Sequence, residues 1–345
     1  VRAECGHPGE RGAALLTVLL LVAILSVVTA VALERLTIAS RMTRNIVSAD
    51  QARAYLVTAE LMATQRIGQL IRLRPDRLTL EGGWLSRDQG IAVPGGTVTA
   101  RMIDRGNCFN LNGLVVGPND GQGEGEDGEE LYDGATLATR PAGVAQFAGL
   151  MRLLGIDHNQ AQQIAISAAD WIDSDQTPGN GGAEDDYYSQ LDPAYRTANG
   201  LMADPSELLM VSSVTPDVYQ RIRPWLCALP TTQPSPININ TLLPGQAVLL
   251  AMLAPDKLAL DQARQVLAQR PADGYGSVPD FWSLPALASL GLSQEIQSQT
   301  KLTTRWFEVA LRADLGGEQV EETVLIDAGT PARVHAVRRQ WGEGS

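Results

Sequence analysis

The densest chemistry in this 345-residue chain lies between Leu153 and Tyr195, a stretch with no Lys or Arg. Asp170-Trp171-Ile172-Asp173-Ser174-Asp175 is followed by Gly182-Ala183-Glu184-Asp185-Asp186-Tyr187-Tyr188. Asp170 and Asp173 stand three apart and share a face if helical. Asp173 and Asp175 stand two apart, as oxygen ligands do in a tight loop. The glycine-rich link after Gln176 lets the chain fold back and bring Glu184, Asp185 and Asp186 close. Carboxylates at such short range repel one another unless a cation sits among them. Asp170, Asp173, Asp175, Glu184, Asp185 and Asp186 are therefore candidate ligands of a hard cation. Calcium tolerates irregular oxygen geometry better than magnesium does. The order is not that of an EF-hand loop. The competing reading is a solvated acidic loop, but Trp171, Tyr187 and Tyr188 beside the acids favour a partly buried site. A glycosidase pair would need two acids held apart across a sugar, with aromatics for stacking, and aromatics are few.

Other reactive groups are sparse. Only His7, His158 and His335 are present, and no HExxH or CxxC pair occurs, which argues against zinc. No GxSxG, phosphate-binding P-loop or dinucleotide fingerprint appears in a suitable strand–helix setting, and no catalysis is expected. Cys108 and Cys227 form one disulfide if the body lies in an oxidising compartment, and are two buried thiols otherwise. The net charge of −12 and pI near 4.8 argue against nucleic acid and against anionic lipid as partners.

The elements that position these groups begin with an apolar run, Gly12 to Leu33, without charge or proline. As a helix it spans about 30 Å, the thickness of a bilayer core. Arg2 and Arg11 precede it and favour a cytoplasmic N-terminus, an inference that Arg35, Arg41 and Arg44 weaken a little. A secretory signal would be shorter and followed by a small-residue cut. Here the pattern stays helical, with Met42, Ile46, Ala49, Ala52, Tyr55, Ala59 and Met62 at three- and four-residue spacing. The run is thus retained, as a plain anchor or as a pilin-type helix ending before Pro75.

Beyond it, Gly96 to Ile103 alternates as a strand. Gly117 to Gly134 is acidic and glycine-rich and reads as a solvated loop. Pro141 to about Leu226 is helical, Pro230 to Pro236 a linker, and Ile237 to about Gln299 helical again. Strand-like runs then carry Trp306, Val309, Leu311, Val324, Ile326, Val334 and Val337. The expected class is α+β: a long N-terminal helix packed on a small antiparallel sheet that a large helical insert splits. The expected divisions are a leader at 1–12 and a helix at 13–73, of which 13–33 spans the membrane. Two sheet parts at 74–116 and 300–345 flank an insert at 117–299. Within the insert, Pro236 to Trp282 resembles a helix-hairpin-helix or SAM-like unit. Its hairpin, Ala254-Pro255-Asp256-Lys257-Leu258-Ala259-Leu260, has an acid and lacks the glycines that present amides to a phosphate. DNA binding, as in a competence-type pilus, is the alternative function.

Arg11-Gly12-Ala13-Ala14-Leu15-Leu16 resembles the cleavage region of type IV pilins and type II secretion pseudopilins. Together with Cys108-Phe-Asn-Leu-Asn, the two acidic motifs, Tyr195-Arg-Thr-Ala-Asn, Ser206-Glu-Leu, Ala228-Leu-Pro and Ile237-Asn-Ile-Asn-Thr, the chain resembles the minor pseudopilin K family of type II secretion. That resemblance implies cleavage between Gly12 and Ala13 by a prepilin peptidase, then methylation of the new amine. It implies a single-pass inner-membrane protein with a periplasmic body that binds calcium through the acidic motifs. It also implies a tip complex with minor pseudopilins I and J, contacts with other pseudopilins and the inner-membrane platform, and a role in initiating the fibre and limiting its length. The family's bulk subunits carry glutamate at the fifth mature position, where this chain has Thr17. A buried glutamate would need a neighbour's amine as partner. A tip subunit has no neighbour above it, so Thr17 points to the tip.

Overall fold

The computed structural model describes residues 10–117, 136–330 and 333–342. The other leader residues and nearly all of the Gly117–Gly134 loop expectation lie outside that set. Helix α1 (Glu10–Leu73) is continuous, with Gly12 and Ala13 in its first turn. Its first half holds large apolar side chains, from Leu15 to Leu36, that are all exposed. Among the described residues it is the one helix long and apolar enough to cross a membrane. Its second half is amphipathic. Ala52, Leu56, Ala59, Ala63 and Ile67 form one buried stripe at helical spacing.

That stripe lies on a five-stranded antiparallel sheet of β1 (Asp88–Val93), β2 (Gly96–Asp104), β3 (Trp306–Leu315), β4 (Glu318–Thr330) and β5 (Arg333–Trp341), in that spatial order. Inward positions alternate as the pleat requires: Val98 and Met102 on β2 pair with Ala313 and Val309 on β3. The Gly316–Gly317 turn joins β3 to β4 with positive φ at both residues (59° and 90°), the geometry of a two-residue hairpin that suits glycine. This turn sits near Ser48, towards the apolar half of α1. The opposite end, Asp104 of β2 and Trp306 of β3, therefore faces away from the apolar half of α1. From that end the chain leaves and returns.

The first sheet part ends at Asp104 rather than at residue 116. Phe109, Leu111, Leu114 and Val115 are buried in the insert's core with helices α2 (Pro141–Leu153) and α3 (His158–Ile172). The second sheet part starts at Trp306, because Thr300–Lys301 pairs with Ile237–Asn238 inside the insert. The Pro230–Pro236 segment is not a free linker. Thr231, Thr232 and Ser235 are buried, and the carbonyls of Thr231 and Gln233 accept from the Asn110 side chain at 2.9 and 3.0 Å.

The neck between insert and sheet is polar and fully engaged. The buried Asp104 carboxylate accepts from the hydroxyls of Thr241 and Thr304 (2.5 and 2.6 Å) and from the Gly106 amide (3.0 Å). Burial pushes its acid up to about 6, against the pull of these donors. Asn107 accepts from the Asn238 amide (2.9 Å), and Asn238 donates to Thr304 (2.9 Å). Beside the neck, Cys108 and Cys227 are disulfide-bonded, with Cα atoms 5.8 Å apart. They pack with Leu229, Trp306 and Leu325 where insert meets sheet. The bridge joins residues 119 apart in sequence. In the chain-entropy model such a loop stabilises by about 4–5 kcal/mol. Replacing both cysteines by serine is expected to lower the guanidinium unfolding midpoint by a corresponding amount, read by circular dichroism.

Candidate metal centre

Asp157 caps α3 by accepting from the amides of Asn159 and Gln160. The buried face Ala161, Ile164, Ala165, Ala168 and Ile172 belongs to the same core as α2. The last turn of α3 is thus a fixed platform, and it carries Asp170. The Asp170 carboxylate accepts from the Gly179 amide (3.2 Å) and the Ala183 amide (2.9 Å). This clamp folds the loop back. A Cβ at Gly182 would lie 1.8 Å from Asp170 Oδ2, so only glycine permits the approach. Burial pushes Asp170 up to about 6, with the two amides pulling the other way.

The folded-back loop brings Asp173, Asp175 and Glu184 together, one oxygen from each within 4.8 Å of the others. Asp173 caps the end of α3, and its Oδ2 accepts from the Thr139 hydroxyl at 2.7 Å. Asp175 is exposed and accepts from the Thr177 amide at 2.7 Å. The remaining Asp173 oxygen and both Glu184 oxygens are buried without a hydrogen-bond partner. Asp173 and Glu184 are each only 3% exposed. Burial, then the charges of Asp170, Asp173, Asp175 and Asp185, push Glu184 up to about 8. Burial raises Asp173 as well. Three orphaned carboxylate oxygens in a shared pocket are costly without a cation, and they fit one that takes several oxygen ligands.

The other candidates are placed elsewhere. Asp170 is spent on the two loop amides. Asp185 accepts from both the amide and the hydroxyl of Thr197 (2.9 Å each) and fixes the following segment. Asp186 is exposed. The aromatics form a plate behind the acids: Trp171 meets Tyr188 edge-on at 5.4 Å and Tyr195 at 6.1 Å. Tyr188 accepts from the Ser212 amide. Thr139, which orients Asp173, was not legible in the sequence: it lies 34 residues upstream in an unremarkable Ala-Thr-Arg context.

Two family models described as type II secretion system (T2SS), protein K match residues 107–231 and 237–304. The type II secretion system protein K of Pectobacterium carotovorum is 33% identical over 96% of this chain and 97% of its own. The protein of that name from Aeromonas hydrophila is 32% identical over 98% of both chains. The chain belongs to the type II secretion system protein K family. Its fold agrees: the crystal structure of the GspK-GspI-GspJ complex from enterotoxigenic Escherichia coli matches with a TM-score of 0.73 at 28% identity. The match covers 88% of this chain and 99% of that one. It is a minor pseudopilin of type II secretion, with one N-terminal helix suited to anchoring it in a membrane. The acidic centre lies within the first segment matched to protein K, and the Asn238–Thr304 side of the neck within the second.

Gly182→Ala is expected to open the Asp170 clamp. The melting temperature should fall by several degrees, measured calorimetrically on the full chain, while Gly245→Ala, with open space around its Cβ, should leave it nearly unchanged.

Proposed function

We propose that this chain is the tip subunit of the secretion pseudopilus, assembled there with minor pseudopilins I and J, and that it helps initiate the fibre and limit its length. The observation that carries this is the position of the insert. The described residues between 105 and 305 rise from the end of the sheet opposite the apolar half of α1. A subunit added above would meet that mass rather than a pilin head. Thr17 supports the same place. A carboxylate within the membrane part of a helix is costly unless it is paired, and a threonine avoids that cost where no neighbour's amine is available. The likeness to a GspK-GspI-GspJ complex supports the choice of partners. The disulfide suits a body in the oxidising periplasm, with α1 in the inner membrane. Gly12 and Ala13 fit removal of the leader by the prepilin peptidase and methylation of the new amine.

Asp173, Asp175 and Glu184 would hold a calcium ion, whose charge offsets the crowding of acids and ties the loop to α3. The role is structural, and no residue is assigned to catalysis. The nucleic-acid alternative is disfavoured by the hairpin between helices Ala247–Ala251 and Leu260–Ala268. Its amides at Lys257 and Leu258 are bonded to the Ala254 carbonyl, and Pro255 packs so tightly on Gly149 of α2 that a Cβ there would clash at 2.4 Å.

Mass spectrometry of membrane-derived protein should give a methylated Ala13 as the N-terminus, and a chain retaining Arg11 overturns the pilin assignment. Gold label on the insert should mark fibre ends only, and cells lacking the protein should form fewer and longer fibres. Label along the shaft would exclude the tip. Chelator-treated protein should regain melting temperature on adding calcium, by about 2.7 kcal/mol of stability at a hundredfold excess over Kd. Glu184→Gln should abolish that response. Equal melting with and without calcium defeats the metal assignment.

A further inference from the structure

Between α1 and the sheet, far from the acidic centre, lies a second group of charges. Glu60 on α1 and Arg339 on β5 form a two-pronged ion pair, at 2.8 and 2.7 Å. Glu60 is buried, while the Arg339 side chain is half exposed. Glu322 on β4 shares this layer. It is 1% exposed, and neither carboxylate oxygen has a hydrogen-bond partner. Its register neighbours are Leu311 on β3 and Trp341 on β5, neither of which neutralises a carboxylate. The charges acting on it are Glu60 from α1 and Arg339 from β5, one like and one opposite. Its sequence neighbour Glu321 is paired with Arg312.

Glu60 thus holds Arg339 through Nε and Nη2, and the guanidinium acts on Glu322 only through its charge. A buried, unpartnered carboxylate is costly when charged and far less so when protonated. We propose that Glu322 is a proton-operated latch in the joint between α1 and the sheet. With its proton, it leaves Arg339 to Glu60 and the joint is closed. Without it, Glu322 competes with Glu60 for Arg339, and two negative charges face each other across the layer. The helix then separates more readily from β4 and β5. The element biased is the amphipathic half of α1, which carries the globular body on the membrane span.

The direction follows from the burial of Glu322, which together with Glu60 raises its acid above the ordinary glutamate value. The unfolded chain loses this proton near pH 4.3, and the folded chain loses it only at higher pH. The stability contribution is thus complete below about pH 4.3 and is lost as pH rises towards the folded value.

The test uses the full chain in detergent with chelator present, and the titration of the acidic centre, common to all three proteins, cancels in the comparison. Melting temperature is followed against pH for the wild type, Glu322→Gln and Glu60→Gln. The wild type should lose melting temperature on going from acid to neutral pH by more than Glu322→Gln does. Glu60→Gln should reduce the difference, because Arg339 then becomes available to Glu322. Hydrogen exchange in residues 52–67, corrected for intrinsic rates, should rise with pH in the wild type and stay level in Glu322→Gln. Identical pH profiles for wild type and Glu322→Gln overturn the proposal. So does an assigned Glu322 carboxyl carbon resonance that titrates at the ordinary glutamate position. If Glu322→Gln fails to fold, that resonance in the wild type decides alone.

Discussion

The rest of the structure depends on how Asp104 is satisfied. It ends β2 where the chain departs for two hundred residues, and it receives hydroxyls from both sides of the excursion, Thr241 within the insert and Thr304 at its return. A buried carboxylate is tolerable only with such donors in place. Their positions in turn need Asn107, Asn238 and the parallel pairing of Ile237–Asn238 with Thr300–Lys301. The neck is thus a small closed polar network, and the disulfide beside it ties together two segments of the insert, which pack there on Trp306 and Leu325 of the sheet. Through it the insert is placed on one end of the sheet and nowhere else, and that placement is the basis for reading the chain as a terminal subunit.

The same trade between burial and charge recurs in the acidic centre with a different solution. Asp170 and Asp185 are neutralised by the protein's own amides and hydroxyls, and so act as clamps. Asp173 and Glu184 are left with oxygens that nothing in the chain reaches. Two chemically similar acids a few residues apart thus have different tasks, set by which of them meets a donor. Asparagines do comparable work without charge. Asn110 and Asn112 each satisfy several buried backbone groups, including the Leu229 amide and carbonyl and both polar groups of Met202.

Much of this was legible in the sequence. The α1 span, its amphipathic continuation, the β2 strand and the divided sheet follow from hydrophobic spacing, which the helix and pleat periods enforce. The acidic cluster was legible as a composition, with Asp173, Asp175 and Glu184 among its members. Which acids converge was not, because it depends on Gly179 and Gly182 allowing the loop to press on Ile166 and Asp170. β1 escaped notice because its residues are nearly all exposed and show no alternation. The Pro230–Pro236 segment read as a linker because its composition is polar, whereas its backbone serves as the binding partner of Asn110. The Asn-Leu-Asn and Asn-Ile-Asn motifs marked the family, and their physical work became visible only as bonds to segments distant in sequence, such as Thr231 for Asn110 and Asn107 for Asn238.

The split sheet also bears on the order of events as the chain is made. β2 has no partner on its inner side until β3 arrives, after a loop whose ends, Asp104 and Thr304, are 200 residues apart in sequence. Closing so long a loop costs about 5 kcal/mol of chain entropy, and non-local pairings of this kind fold slowly. The insert's core is made within that loop without residues of β3 or β4, so its shorter-range contacts favour its forming first. For that interval the amphipathic half of α1 has only the β1–β2 hairpin to lie on. A sheet that closes last makes the full seating of α1 on the head wait for the insert that divides it.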